Sequence, residues 1–315
     1  MTNSVEQWVE LSIETDSELA EAISEAIYPF VEGGVALEQI NFNDRIADRW
    51  EDETASGPVV VRAYLPRDET LEERRAGVER ALRCLNLIRP VPQPAWRDVA
   101  QADWAEAWKA AFKPVRLGRR ILVCPSWIEA EPEPGDIVVT LDPGLAFGTG
   151  LHPTTQLCAA ALEERIQPGM RALDVGTGSG ILSILAVKLG AASALGVDID
   201  AEAVCAAREN VARNGVADRV AIALGSWEQA EGVYDVVVAN ILAGVIHRLL
   251  REGLGKTGRA FIFSGILDTQ AEEVKAALGE AGLRLVDQKQ RADWICLVCE
   301  QEQTTSHKDR GAAEK

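Results

Sequence analysis

Apolar residues recur with two different periods along this chain, and their order predicts two folded units. An alternating run at 5–13 predicts a strand, the apolar stripe of 16–28 (DSELAEAISEAIY) behind Asp16 predicts a helix, and Gly33-Gly34 leads into a second short strand. The pattern then repeats, with a strand at 59–65 and an amphipathic Glu/Arg-rich helix at 69–87. This order predicts a small α+β, ferredoxin-like domain over residues 1–95. Pro90, Pro92 and Pro94 punctuate its end, and a linker placed at 96–125 carries a helix at 103–112 with Trp104 and Trp108 on one face. Those two rings suit core anchoring, or contact with a substrate.

From Met170 onward the chain alternates regularly. Strands are predicted at 172–175, 194–197, 220–224, 234–239, 259–263, 283–287 and 294–299, with helices at 181–189, 201–214, 242–250 and 269–281. Strands separated by helices of this length predict an α/β, Rossmann-like, doubly wound and mostly parallel sheet of seven strands within residues 126–300. Ligands of such sheets sit beyond the carboxyl ends of the strands, so the residues just after each strand carry the chemistry. The polar stretch 301–315 has little to bury and is expected to be disordered.

Composition narrows the classes of function. With 315 residues and 47% hydrophobic side chains, two cores are affordable. The formal net charge is -17 and no lysine precedes Lys109, which argues against direct DNA binding and permits a basic partner, or simply keeps the surface soluble. No opening apolar run suits a signal peptide or membrane span, and the six cysteines are scattered, so a cytoplasmic protein without membrane attachment is expected. Cys296 and Cys299 form a C-x-x-C, but on a strand they point to opposite faces, which disfavours a metal or redox pair. No metal is expected.

The chemistry gathers at strand ends. The turn Asp174-Val175-Gly176-Thr177-Gly178-Ser179-Gly180 removes side chains where a ligand could touch backbone, and the helix behind it offers amide donors and a positive dipole end suited to a carboxylate. Tight strand-helix packing alone would also explain such glycines. A dinucleotide fingerprint would place its third glycine at 181, where Ile181 stands, which disfavours a nicotinamide-dependent oxidoreductase. Asp198 ends the next strand about 20 residues on, where a carboxylate can accept the hydroxyls of a ribose. Asp200 is the alternative, or the cap of the following helix. Asn240 ends the fourth strand, either to hold an amine by its side-chain carbonyl or to cap the next helix. Residues 141–155 (LDPGLAFGTGLHPTT) form a loop able to close over a ligand or an ordinary connection, and His152 within it is a base or a loop-orienting residue.

In sequence order, WAEAWKAAFKPVRLGRRILVCPSW, LDPGLAFGTGLHPTT, LDVGTGSGIL, GVDID and VVANILA resemble the signatures of the ribosomal protein L11 methyltransferase family (PrmA). The resemblance spans residues 104–243. It implies a class I S-adenosylmethionine-dependent enzyme that methylates lysine side chains and the N-terminal amine of ribosomal protein L11, free or on the ribosome. It also implies a substrate-recognition role for the small domain and a monomer. Carried over by matching position, Thr155, Gly176, Asp198 and Asn240 would contact the cofactor, with Phe147 and Thr149 in the adjoining loop. Gly178 and Gly180 complete the turn, and Asn240 would orient the amine. Leu151 stands where the family has Thr, and Thr177 where Cys is common. The same catalytic fold acting on another protein, a small amine or a nucleic-acid base is the alternative, as is a binding module without turnover.

Overall fold

A computed structural model describes residues 7–39, 59–100, 114–142 and 152–302. The Trp104/Trp108 helix, Phe147, Thr149, Leu151 and the stretch 303–315 lie outside the described residues.

The first unit is built from β1 (Gln7–Thr15), α1 (Ser17–Ile27), β2 (Glu32–Gln39), β3 (Val59–Pro66), α2 (Leu71–Asn86) and β4 (Ala95–Ala100). Asp16 starts α1 by accepting the Leu19 N–H at 3.0 Å, satisfying a donor that the first turn would leave open. The strands pair antiparallel in the order β2-β3-β1-β4, which is the ferredoxin-like arrangement that the sequence predicts. One sheet face packs Leu11, Ile13, Val61, Ala63 and Leu65 on Ile23, Ile27 and Val78 of the helices. β4 is a strand that periodicity misses, and it carries the first sheet past residue 95.

A three-stranded sheet follows, β5 (Val115–Leu117), β6 (Ile121–Cys124) and β7 (Ile137–Thr140), in the order β5-β6-β7. It lies partly within the stretch 96–125 that the sequence assigns to a linker. Its apolar residues Leu117, Ile121, Val123 and Val139 join the core of the large domain.

The remaining elements are α3 (Pro153–Arg165), β8 (Arg171–Val175), α4 (Ile181–Lys188), β9 (Ser193–Asp198), α5 (Ala201–Arg213), β10 (Val220–Leu224), β11 (Tyr234–Asn240), α6 (Ala243–Glu252), β12 (Gly258–Leu267), α7 (Ala271–Glu280), β13 (Leu283–Arg291) and β14 (Trp294–Gln301). Seven strands order as β10-β9-β8-β11-β12-β14-β13, parallel except for β14, which is antiparallel to both its neighbours. The order reverses between β8 and β11, so a crevice opens beyond their carboxyl ends.

Helices cover both faces. α4 is buried almost all round (ILSILAVK), consistent with its place in the core shared with α3, while α6 and α7 cover the opposite face through Ile246, Leu249, Val274 and Leu278. Cys296 belongs to the first of these cores and Cys299 to the second. The C-x-x-C therefore straddles the sheet, as its strand period predicts.

Candidate active site

Three parallel strands, β8, β9 and β11, deliver their last residues to one edge. Register places Val175 beside Val197 and Asn240 beside Ser264. The glycine turn leaves β8 at once. Gly176, Gly178 and Gly180 adopt φ of +75°, +53° and +82°, a region that costs other residues roughly 1–2 kcal/mol.

The turn is folded onto β9 by its own donors. Gly176 and Thr177 N–H groups donate to Val197 O at 2.9 and 3.0 Å, and Gly180 N–H to Thr177 O at 2.8 Å. Gly178 N–H donates to Asp198 Oδ2 at 2.9 Å, so the strand-end acid and the glycine turn border one cleft. The other oxygen, Oδ1, accepts the Asp200 N–H at 3.0 Å. Each carboxylate oxygen keeps a further acceptor site.

Sequence reasoning expects amide donors at this helix start to face a ligand, but those of Gly176, Gly178 and Gly180 are used within the protein. Gly180 is buried, and a Cβ there would stand 3.2 Å from Ala207 Cβ, so its lack of a side chain serves helix packing. Gly176 and Gly178 are half-buried and leave backbone open to close approach. Asp200 caps α5 by accepting the Glu202 N–H at 2.9 Å, which leaves Asp198 as the acid beside the turn.

Asp174 is the residue that sequence reasoning passes over. It is 1% exposed, and a single oxygen, Oδ2, accepts the Thr177 hydroxyl (2.6 Å), the Ser183 hydroxyl (2.8 Å) and the Ser183 N–H (3.0 Å). The strand beneath has glycine for this reason: a Cβ on Gly196 would come within 2.7 Å of the Thr177 and Ser183 hydroxyls. The other oxygen, Oδ1, is buried with no hydrogen-bond partner. Burial pushes the Asp174 carboxyl up to about 6, against the pull of its three donors. A buried carboxylate that no cation among the described residues balances favours positive charge nearby. The signal available in the sequence was its place at the foot of the glycine turn.

On the far side of the crevice, His152 caps α3 by accepting the Thr154 N–H on Nδ1 at 3.1 Å, with Pro153 at the first helical position. Its ring meets Trp294 edge-on at 4.9 Å. Burial drives its pKa down to about 3, so it is a neutral orienting group. α3 then buries Thr155, whose hydroxyl accepts a bond from Asn240 Nδ2 at 3.3 Å.

Asn240 is not a helix cap, because α6 begins after Leu242. Tying its amide nitrogen to Thr155 turns the side-chain carbonyl away from that bond. The loop behind it is clasped by a bulge in β12, where Gly265 (φ +82°) has glycine because a Cβ would fall 2.3 Å from Ile241 O.

Exposed apolar residues complete the edge. Ile199, 79% exposed, follows Asp198, and Leu224 lies on β10 opposite Asp198. A flat base could rest on them. Beside Asn240, an apolar trough of about 370 Å³ is lined by Leu242, Ala243, Val245, Leu267 and Trp294. None of these lining residues was marked in the sequence as a site residue, because their convergence is non-local.

A seven-stranded sheet of this order, with a glycine turn bonded to an acid at the next strand end, defines a Rossmann-like methyltransferase. Residues 7–302 match the family described as ribosomal protein L11 methyltransferase (PrmA). A protein of Chloroflexus aurantiacus named ribosomal protein L11 methyltransferase is 39% identical over 320 residues, covering 92% of this chain and 97% of that one. One of Desulforamulus reducens with the same name is 40% identical over 303 residues, covering 93% and 98%. The crystal structure of a ribosomal protein L11 methylase from Lactobacillus delbrueckii subsp. bulgaricus is 36% identical with a TM-score of 0.57, covering 61% of this chain and all of that one. The chain belongs to the ribosomal protein L11 methyltransferase family.

Proposed function

We propose that this protein transfers methyl groups from S-adenosylmethionine to lysine side chains and the N-terminal amine of ribosomal protein L11. The observation that carries the cofactor is the shared border of glycine turn and acid, Gly178 N–H to Asp198 at 2.9 Å, at the end of the strand that buries the unbalanced Asp174. In this reading Asp198 accepts the ribose hydroxyls, Ile199 and Leu224 support the base, Gly176 and Gly178 admit the amino-acid part, and Asp174 attracts its ammonium. Thr155 and Asn240, joined by their hydrogen bond, also contact the cofactor in this reading. Phe147 and Thr149 belong to the same site by the family resemblance.

S-adenosylmethionine supplies an electrophilic methyl on a sulfonium, and the chain's own task is to present a neutral amine to it. At pH 7 deprotonating a lysine costs about 4 to 5 kcal/mol, against about 1 for an α-amine, from their ordinary pKa values. In this reading the Asn240 carbonyl accepts an amine hydrogen and aims the lone pair, while the apolar trough takes methylenes and excludes water from the amine. Positioning supplies the catalysis, and no step calls for a metal.

The small ferredoxin-like domain, continued through β4, is assigned to substrate recognition, and the protein is assigned to the cytoplasm as a monomer. The net charge of -17 suits a basic protein partner, and no helix among the described residues is long and apolar enough to cross a membrane. The test is incubation of the purified protein with S-adenosylmethionine and under-methylated ribosomal proteins. Mass spectrometry should show multiples of one methyl mass on L11 alone. Methyl groups on another protein, or on nucleic acid, would move the assignment to a different acceptor.

A further inference from the structure

The end of α5 carries two amide side chains, and each holds the backbone of a different part of the site. Asn210, 6% exposed, donates from Nδ2 to Ser179 O at 2.9 Å, and its Oδ1 accepts from Arg213 Nη1 at 2.8 Å. One turn later Asn214 pairs with both sides of Thr140. The Thr140 N–H donates to Oδ1 at 2.9 Å, and Nδ2 donates to Thr140 O at 2.7 Å and to Asn210 O at 2.9 Å. Between them Arg213 reaches Asp142 at 3.4 Å, and Asp142 accepts both the N–H and the hydroxyl of Ser126, at 2.7 and 2.9 Å.

Ser179 lies in the glycine turn. Thr140 and Asp142 close β7 and lead into the run that returns at His152. Among the described residues β7 is the outer strand of its sheet and pairs with β6 alone, so its other edge needs partners. A carboxamide carries the donor and acceptor of a peptide group, and Asn214 supplies what another strand would.

We infer that Asn210 and Asn214 are positioning residues for cofactor binding, tying the glycine turn to the end of β7 through one helix end. This rests on the reading of the crevice as the S-adenosylmethionine site. Asn210→Asp and Asn214→Asp keep the shape, delete the donors and turn carboxylates toward the carbonyls of Ser179 and Thr140. Each should weaken S-adenosylmethionine binding, read by calorimetry, about tenfold. Each should raise KM for the cofactor in proportion while leaving kcat at saturation within about twofold.

Hydrogen exchange without ligand provides the second readout. Asn210→Asp should speed exchange both in 176–180, which it touches, and in 138–142, which it reaches through Arg213 and Asn214. If Asn210→Asp does not fold, Asn214→Asp reads the tie from its other end, expected to loosen 176–180 as well as 138–142. Native affinity in both variants, or exchange confined to the segment each one touches, would overturn the proposal. Wild-type protein that does not bind S-adenosylmethionine would instead overturn the functional reading, with exchange still judging the tie.

Discussion

The small sheet and the large sheet each bury a carboxylate, and they treat it in opposite ways. In the small sheet Glu10, 4% exposed, accepts from Arg62 at 2.9 Å, Arg97 at 3.2 Å and the Tyr64 hydroxyl at 3.2 Å. Both oxygens are used and two guanidinium groups balance the charge. Burial and the adjacent Glu10 push Tyr64 up to about 12, so it stays a donor. In the large sheet Asp174 receives two hydroxyls and one amide on one oxygen and no cation. A buried charge balanced from within serves the fold, whereas one left short favours positive charge nearby.

The largest expected effect separates the crevice from the small sheet by pH. His152, held neutral with a pKa of about 3, refuses a proton that the unfolded chain accepts near 6.5. Its contribution to stability is present above pH 6.5 and is lost as pH falls, by about 3 kcal/mol between pH 6.5 and 4. His152→Asn keeps a capping side chain and should flatten that acid limb in urea unfolding. Parallel profiles for the two proteins would mean that His152 is not held neutral.

Asp174 carries the opposite sign. Its folded pKa of about 6 lies above the unfolded value near 3.8, so its contribution is full below pH 3.8 and fades as pH rises through 6, by about 3 kcal/mol. Asp174→Asn should therefore be at least as stable as wild type at pH 7 in the absence of cofactor. It should also bind S-adenosylmethionine more weakly by about 1.5 to 3 kcal/mol. A variant that loses stability and keeps affinity would place Asp174 with Glu10 as a structural acid.

Glu10→Gln tests the other half of the contrast. Removing the charge between two partly exposed arginines should cost about 2 to 3 kcal/mol, below the range for fully buried pairs, with cofactor affinity unchanged by calorimetry. A change in cofactor affinity would dissolve the distinction between the two acids. Asp198→Ala should weaken cofactor binding by about 1.5 to 3 kcal/mol with little change in the melting temperature, since Asp198 is only half-buried. An unchanged titration would remove it as the ribose ligand.

Elements with a clear apolar period were readable in the sequence, the edge strand β10 among them, and those without one were not. The strands from β8 to β12 are apolar runs between turn signals, and the predicted limits of β8 to β11 fall within one residue of the observed ones, while β12 runs on to Leu267, four residues past its predicted end. β4 (AWRDVA) follows three prolines and exposes Arg97 and Asp98, so no period announces it. β13 continues four residues beyond Asp287 as QKQR, because it is the sheet's last strand and faces water. In the site, Asp198, Asn240 and the glycines follow from the rule that strand ends carry ligands. The roles of Asp174, Asn210 and Asn214 depend on which backbone groups lie across from them, and a linear pattern holds no record of that.

β14 follows β13 in the chain but lies between β12 and β13. The last of this sheet's described strands in chain order is therefore an interior one. Until residues 294–301 have left the ribosome, β12 has no outer neighbour and β13 has nothing to pair with, so the sheet remains open on that side while most of its hydrophobic residues already exist. The sheet closes only when the last of its strands in chain order has been made, and loss of even part of that strand would strand the elements on both sides of it.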